Sequence, residues 1–157
     1  MTRSSRPSRP LHLAVLSLTL LVASLAALAA AADVRKAATL GVRLQLRNGD
    51  GQVGCLLFNQ ARGFPKDPRA ALRQVWCPIA SSAAVCAFDA IPAGTYAVAC
   101  FHDENKNGKL DTGLFGIPTE GTTASNNAKG FMGPPSFEDA KFSFAGSPAE
   151  LRLVMSY

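Results

Sequence analysis

Residues 33–157 of this chain predict an all-β fold, a single antiparallel β-sandwich of about seven short strands with a long irregular excursion over 112–140. Three observations carry that prediction: apolar side chains alternate with period two in segment after segment, the segments are short and punctuated by Gly, Pro, Asn and Ser, and almost no stretch has a helical period. With 157 residues and 17% charged side chains, the chain has material for one core and too little charge for a disordered polymer.

The first 32 residues read as a secretory signal peptide. Arg3, Arg6 and Arg9 precede a run from Leu11 to Ala32 built of Leu, Ala and Val, and Ala30-Ala31-Ala32 supplies small residues for cleavage before Asp33. The run is long enough to approach a bilayer span, but its alanine-rich end favours cleavage over retention as an anchor. Localisation is therefore expected to be exported, periplasmic or secreted, with no stable membrane insertion once the leader is gone. Removing its three arginines leaves 13 basic and 11 acidic residues, so the basic pI belongs mostly to the leader. No Lys/Arg cluster interleaved with aromatics remains, which excludes nucleic acid as the expected partner.

In order along the chain, Leu40, Val42, Leu44 and Leu46 share one parity of a strand over Thr39–Arg47, with Gly41, Arg43, Gln45 and Arg47 on the wet face. Asn48-Gly49-Asp50-Gly51 tolerates positive φ, and a second strand, Gln52–Phe58, follows in an expected hairpin. Residues 59–72 are turn-rich, with Pro65 and Pro68 excluding a strand interior and a single helical turn expected at Arg69–Leu72. Gln74–Ile79 and Ala83–Phe88 flank Ala80-Ser81-Ser82, a hairpin in which Ile79 faces Ala84 and Cys77 faces Cys86. Ile91-Pro92-Ala93-Gly94 leads into a strand from Thr95 to Phe101. In the excursion, Ser136 is placed to cap a helical turn with Asp139 three residues on. Lys141–Ala145 and Leu151–Tyr157 complete the strands. The last alternates and ends in an aromatic as outer-membrane barrel strands do, but no series of ten-residue strands accompanies it.

Cys55, Cys77, Cys86 and Cys100 all fall in strand-like segments, and an even number in an exported chain points to disulfides. The hairpin register pairs Cys77 with Cys86 and leaves Cys55 with Cys100, whose alternative is two small buried hydrophobes. No C-x-x-C spacing supports zinc.

The stretch HDENKNGKLDTGLFG, 102–116, carries the chemistry. Asp103, Asn105, Asn107, Gly108 and Asp111 stand at positions 1, 3, 5, 6 and 9 of a calcium loop, with Lys109 at position 7, where the pattern uses the backbone carbonyl. Position 12 is Leu114, so the closing bidentate carboxylate is missing. Glu120, in a folded-back excursion, is the expected substitute. His102 is the one histidine after the leader, and no nucleophile motif accompanies it. No catalytic residue is therefore assigned. The cofactor expected is calcium, bound weakly.

Gly63-Phe64-Pro65, Ile91-Pro92-Ala93-Gly94-Thr95-Tyr96-Ala97-Val98, HDENKNGKLDTGLFGIPTEG, Ser125-Asn126-Asn127-Ala128 and Gly133-Pro134-Pro135-Ser136-Phe137-Glu138-Asp139-Ala140 together resemble the bacterial DUF2141 family over about residues 40–157. The resemblance implies a small exported β-sandwich akin to prealbumin-like or carboxypeptidase regulatory-like modules, with no established activity; the expected sandwich is of the prealbumin-like or immunoglobulin-like kind. The chain departs from the family pattern in having cysteines where aliphatic residues are usual, and Thr122-Thr123-Ala124 in place of an aromatic residue. The expectation is a non-enzymatic envelope module whose calcium loop orders a surface for an envelope protein or glycan. The alternative is a small-molecule or hydrolytic site built from His102, Asp103 and Glu120 under the excursion.

Overall fold

β1 (Ala38–Gln45) runs through the centre of one sheet, and its burial alternates as its sequence does: Leu40, Val42 and Leu44 are buried, while the residues between them face solvent or neighbouring side chains. The structure, a computed structural model, describes residues 37–157. The signal-peptide reading lies outside the described residues. Lys36–Tyr157 is a compact unit with its own core.

Beyond β1 come β2 (Gln52–Phe58), β3 (Arg73–Cys77), β4 (Ile79–Ala80), β5 (Ala83–Ile91), β6 (Gly94–Asp103), β7 (Thr122–Ala124), β8 (Phe142–Phe144) and β9 (Ala149–Val154), with one helical turn, α1 (Phe137–Ala140). The strands form an all-β sandwich of two sheets, β4-β5-β1-β9 and β3-β2-β6-β7, with β8 paired to β6. The two strands beyond the expected seven are β4, split off the Gln74–Ile79 strand, and β7, which lies within the 112–140 excursion that was expected to be irregular. Pairing is antiparallel throughout, save that β1 and β9 run parallel.

Two expectations are corrected. β1 and β2 are not a hairpin: β1 pairs with β5 and β9, β2 with β3 and β6, so Asn48–Gly51 is an arch from one sheet to the other. Asn and Gly permit either connection; β1 goes to partners much later in the chain because its single apolar face must meet the opposite sheet. The Gln74–Ile79 strand is likewise two strands. Pro78, lacking an N–H, ends β3 in one sheet and starts β4 in the other. The predicted Ile79–Ala84 register holds within β4–β5, with Ser81 and Ser82 at positive φ in the turn.

Both disulfides form. Cys77–Cys86 bridges the two sheets, and Cys55–Cys100 joins directly opposed residues of β2 and β6 with Cα atoms 4.2 Å apart. Paired cysteines of this kind are compatible with an exported protein. Among the described residues, no helix is long and apolar enough to cross a membrane.

β2 is buried on both faces. Val53, Cys55 and Leu57 enter the main core, while Leu56 and Phe58 enter a smaller one on the sheet's outer face. There the 59–72 loop and α1 fold back, with Phe64 edge-on to both Phe58 and Phe137. The helical turn of that loop is a 3-10 turn at Pro68–Ala70, slightly earlier than expected, with Asp67 accepting from the Arg69 N–H. Ser136 caps α1 as expected, its Oγ accepting from the Asp139 N–H at 3.2 Å. Ser125, fully buried, fastens this layer: its Oγ accepts from the Val98 N–H and donates to the Ala140 carbonyl.

Candidate functional site

β6 delivers His102 and Asp103 to opposite faces of one strand end, as alternation requires. Both are completely buried. Asp103 is on the outer face, where β2–β6 pairing sets Gln52 opposite it. Asp103 Oδ1 accepts the Asn107 N–H, and Oδ2 accepts the Gly108 N–H and the Gln52 side-chain amide, each at 2.9 Å. The loop is thus wound around its first carboxylate. Burial pushes the Asp103 carboxyl up, but the hydrogen bonds from Gln52, Gly108, Asn107 and Lys106 outweigh it and hold the group below the usual carboxylate range. Lys106 and Gly108 supply the positive φ the turn needs.

Four of the expected donors come together. Asn105 Nδ2 donates to Asp111 Oδ2 at 2.6 Å, and Asn107 Nδ2 lies 2.9 Å from both Asp111 oxygens. Asn107 therefore touches both carboxylates, Asp103 through its backbone N–H and Asp111 through its side chain. The oxygens of Asn105 and Asn107 accept the N–H groups of Asn107 and Lys109. Lys109 itself is exposed. Among the described residues, no group of three or more His, Cys, Asp or Glu side chains is arranged to hold a metal. The loop's remaining oxygens come from amides and backbone, which suit a hard cation.

Glu120 reaches the loop, but in a different role from a twelfth-position ligand. It is buried, and Oε1 accepts the Glu104 N–H while Oε2 accepts the Asp111 N–H, both at 2.9 Å. One carboxylate clamps the two ends of the loop. It arrives there because the chain returns through β7 along β6, with the His102 N–H bonded to the Gly121 carbonyl.

His102 faces inward. Its Nε2 is 2.7 Å from the Asp50 carbonyl, which can only accept, so Nε2 carries a proton; Nδ1 lies 2.8 Å from the Tyr157 hydroxyl and 3.4 Å from Glu104 Oε1. Tyr157 in turn accepts from the Arg47 N–H, and its ring lies under the Arg47 guanidinium at 4.2 Å. Arg47 forks onto Glu104 at 2.8 and 2.7 Å, holding that carboxyl below its ordinary range. Gly121 makes room for this arrangement, since a Cβ there would fall 2.5 Å from the Tyr157 ring. Arg47, Gln52, Glu104 and Tyr157 were not singled out from sequence. Gln52 was detectable only once β2 was known to pair with β6, and the other three meet from distant segments.

Fold and site together define a disulfide-stapled β-sandwich with an acidic loop wound on a buried aspartate and clamped by a returning glutamate. The chain belongs to the DUF2141 family, described as an uncharacterized protein conserved in bacteria, whose profile matches residues 44–152. No curated protein and no solved structure matches the chain.

Proposed function

We propose that this is an exported, non-enzymatic module whose 103–111 loop takes calcium weakly and so orders the 112–140 excursion for a protein or glycan partner. The observation that supports this reading is the meeting of Asp103, Asn105, Asn107 and Asp111 around Asn107. In the ion's absence the two asparagine amides hydrogen-bond the Asp111 carboxylate. Calcium there would be held by the Asp103 and Asp111 carboxylates, the amide oxygens of Asn105 and Asn107 and the Lys109 carbonyl, and would supply the positive charge that the amide N–H groups lack. Glu120 serves the site by keeping the loop closed. The same geometry weighs against a hydrolytic centre of His102, Asp103 and Glu120, because His102 and Glu120, which would have to handle protons and water, are buried with their polar atoms engaged within the protein.

Calorimetric titration of residues 36–157 with calcium chloride tests the reading. Two carboxylates place the dissociation constant at about 10⁻⁴–10⁻³ M. At tenfold excess over that constant, linkage adds about 1.4 kcal/mol of stability, removed by chelator or by Asp111→Ala. Absence of both heat and a melting shift at about 10 mM calcium, roughly tenfold above the weakest constant of that range, would overturn it.

A further inference from the structure

We infer that the groove beside Trp76 is a binding site for a neutral oligosaccharide. Trp76 is the chain's one tryptophan, and 40% of it is exposed. It stands on the outer face of the β3-β2-β6-β7 sheet, where Gly54 of β2 lies between Trp76 of the edge strand β3 and Phe101 of β6. A Cβ at Gly54 would fall 2.7 Å from the Phe101 ring and 3.0 Å from the indole, so the glycine lets the two rings meet edge to face across it, their centroids 5.5 Å apart. Phe101 thereby fixes the indole without covering it. The Leu56–Phe58 end of the same sheet face is closed by the 59–72 loop and α1. The Trp76 end instead borders an open groove of about 620 Å³, within the range of about 300–1,000 Å³ of small-ligand sites.

The lining selects the ligand. Trp76, Pro78 and Ile79 supply apolar surface, and Asp50, Gln52 and Lys106 supply polar groups. The Asp50 carboxylate and the Lys106 ammonium have no partner among the described residues, and Gln52, whose amide N–H donates to Asp103, keeps its Oε1 free to accept. The two charges of the lining are of opposite sign, and behind it stand the Arg47–Glu104 pair and the buried Asp103, so no positive excess is present to hold an anion. A pyranose ring combines a face of C–H groups, which packs on an aromatic ring, with a rim of hydroxyls that each donate and accept. Such a ligand meets the indole and all three polar side chains together. A purely apolar ligand would strip water from Asp50, Gln52 and Lys106 and return no hydrogen bond. A proline-rich peptide, another occupant of aromatic grooves, brings carbonyls for Lys106 but few N–H donors for Asp50 and Gln52.

This inference goes beyond the calcium reading and does not depend on it, because the groove is formed without an ion and lies outside the 112–140 excursion. With one tryptophan in the chain, fluorescence reports on this site alone. The test titrates residues 36–157, in chelator, with tetrasaccharides of α-linked glucose, β-linked glucose, N-acetylglucosamine, mannose and galactose, and with decaproline. A saturable change with at least one tetrasaccharide is expected at up to about 10 mM, where a site with a constant of roughly 1 mM is about nine-tenths filled. By calorimetry, Trp76→Leu and Asp50→Ala should each weaken that binding about tenfold. Asp50→Ala removes a side chain with no partner in the fold, so its melt should be unchanged, and it carries the test if Trp76→Leu does not fold. No response to any tetrasaccharide overturns the inference, as does binding undiminished in Asp50→Ala or in folded Trp76→Leu. A response to decaproline alone would reassign the groove to peptide. Failure here leaves the calcium titration standing, and the converse holds.

Discussion

Glu120→Gln keeps the volume of the clamp and changes its chemistry at one atom. At present both carboxylate oxygens accept backbone N–H groups at 2.9 Å, one from Glu104 and one from Asp111. Glutamine keeps one acceptor and turns an NH₂ toward the other N–H, so two donors face each other in a buried place. The lost charge-assisted bond is worth about 1.5–3 kcal/mol, and a buried amide left unpaired costs about 1–3 kcal/mol; since these overlap, about 3 kcal/mol is the expected loss. For a unit of this size, each kcal/mol moves the melting temperature by about 4 °C, giving a fall of about 12 °C if the loop unfolds with the rest. If the loop opens alone, the melt moves less and the effect appears in hydrogen exchange instead: the Glu104 and Asp111 amides lose protection while β1 and β5 keep theirs. Both measurements should be made with the disulfides intact. A melt within about 1 °C of the original, together with unchanged protection at those two amides, would refute the clamp.

Acidification should destabilise the domain in part through Asp103. Its carboxyl lies below the usual range when folded, so the stability it contributes is present above the unfolded value near 4 and is lost as pH falls through the folded one. Asp103→Asn should melt lower at pH 7 and show a shallower acid limb, with Glu104, Asp67 and Glu150 supplying what slope remains; identical limbs would refute the assignment. Mass spectrometry without reduction should find Cys77 linked to Cys86 and Cys55 to Cys100. Removing the first pair, nine residues apart, should cost about 3 kcal/mol and the second, 45 apart, about 4 kcal/mol on the chain-entropy account; a reversed order in urea melts would count against that account.

What was legible in the sequence was local. Alternation in Leu40–Leu46 located β1 because one face of that strand is core and the other is not. The Ser81-Ser82 turn fixed the register of Ile79 against Ala84, since a short turn leaves little choice of pairing, whereas Cys77 meets Cys86 from the opposite sheet rather than along that hairpin. The arch at Asn48–Gly51 was misread for the same reason: turn residues specify the bend but not the sheet into which the chain goes next. The candidate site divides in the same way. Its donors were visible because Asp103, Asn105, Asn107 and Asp111 lie within nine residues, and one turn must wind them together. Its other supports were hidden because Gln52, Arg47 and Tyr157 come from three other segments and meet the loop only after β2 and the chain beyond β9 are in place, while Glu120, expected as a ligand, meets the loop through β7 as a clamp on its backbone. A local pattern therefore identifies which oxygens could share an ion, whereas the long-range supports decide how rigidly they are held. Here the supports bond the loop's backbone and root, through Asp103, Glu104 and the Asp111 N–H, and leave the Asp111 carboxylate to two side-chain amides alone. Amides can turn without breaking the clamp, and for that reason Asp111, more than the buried Asp103, is the residue at which calcium would be gained or lost.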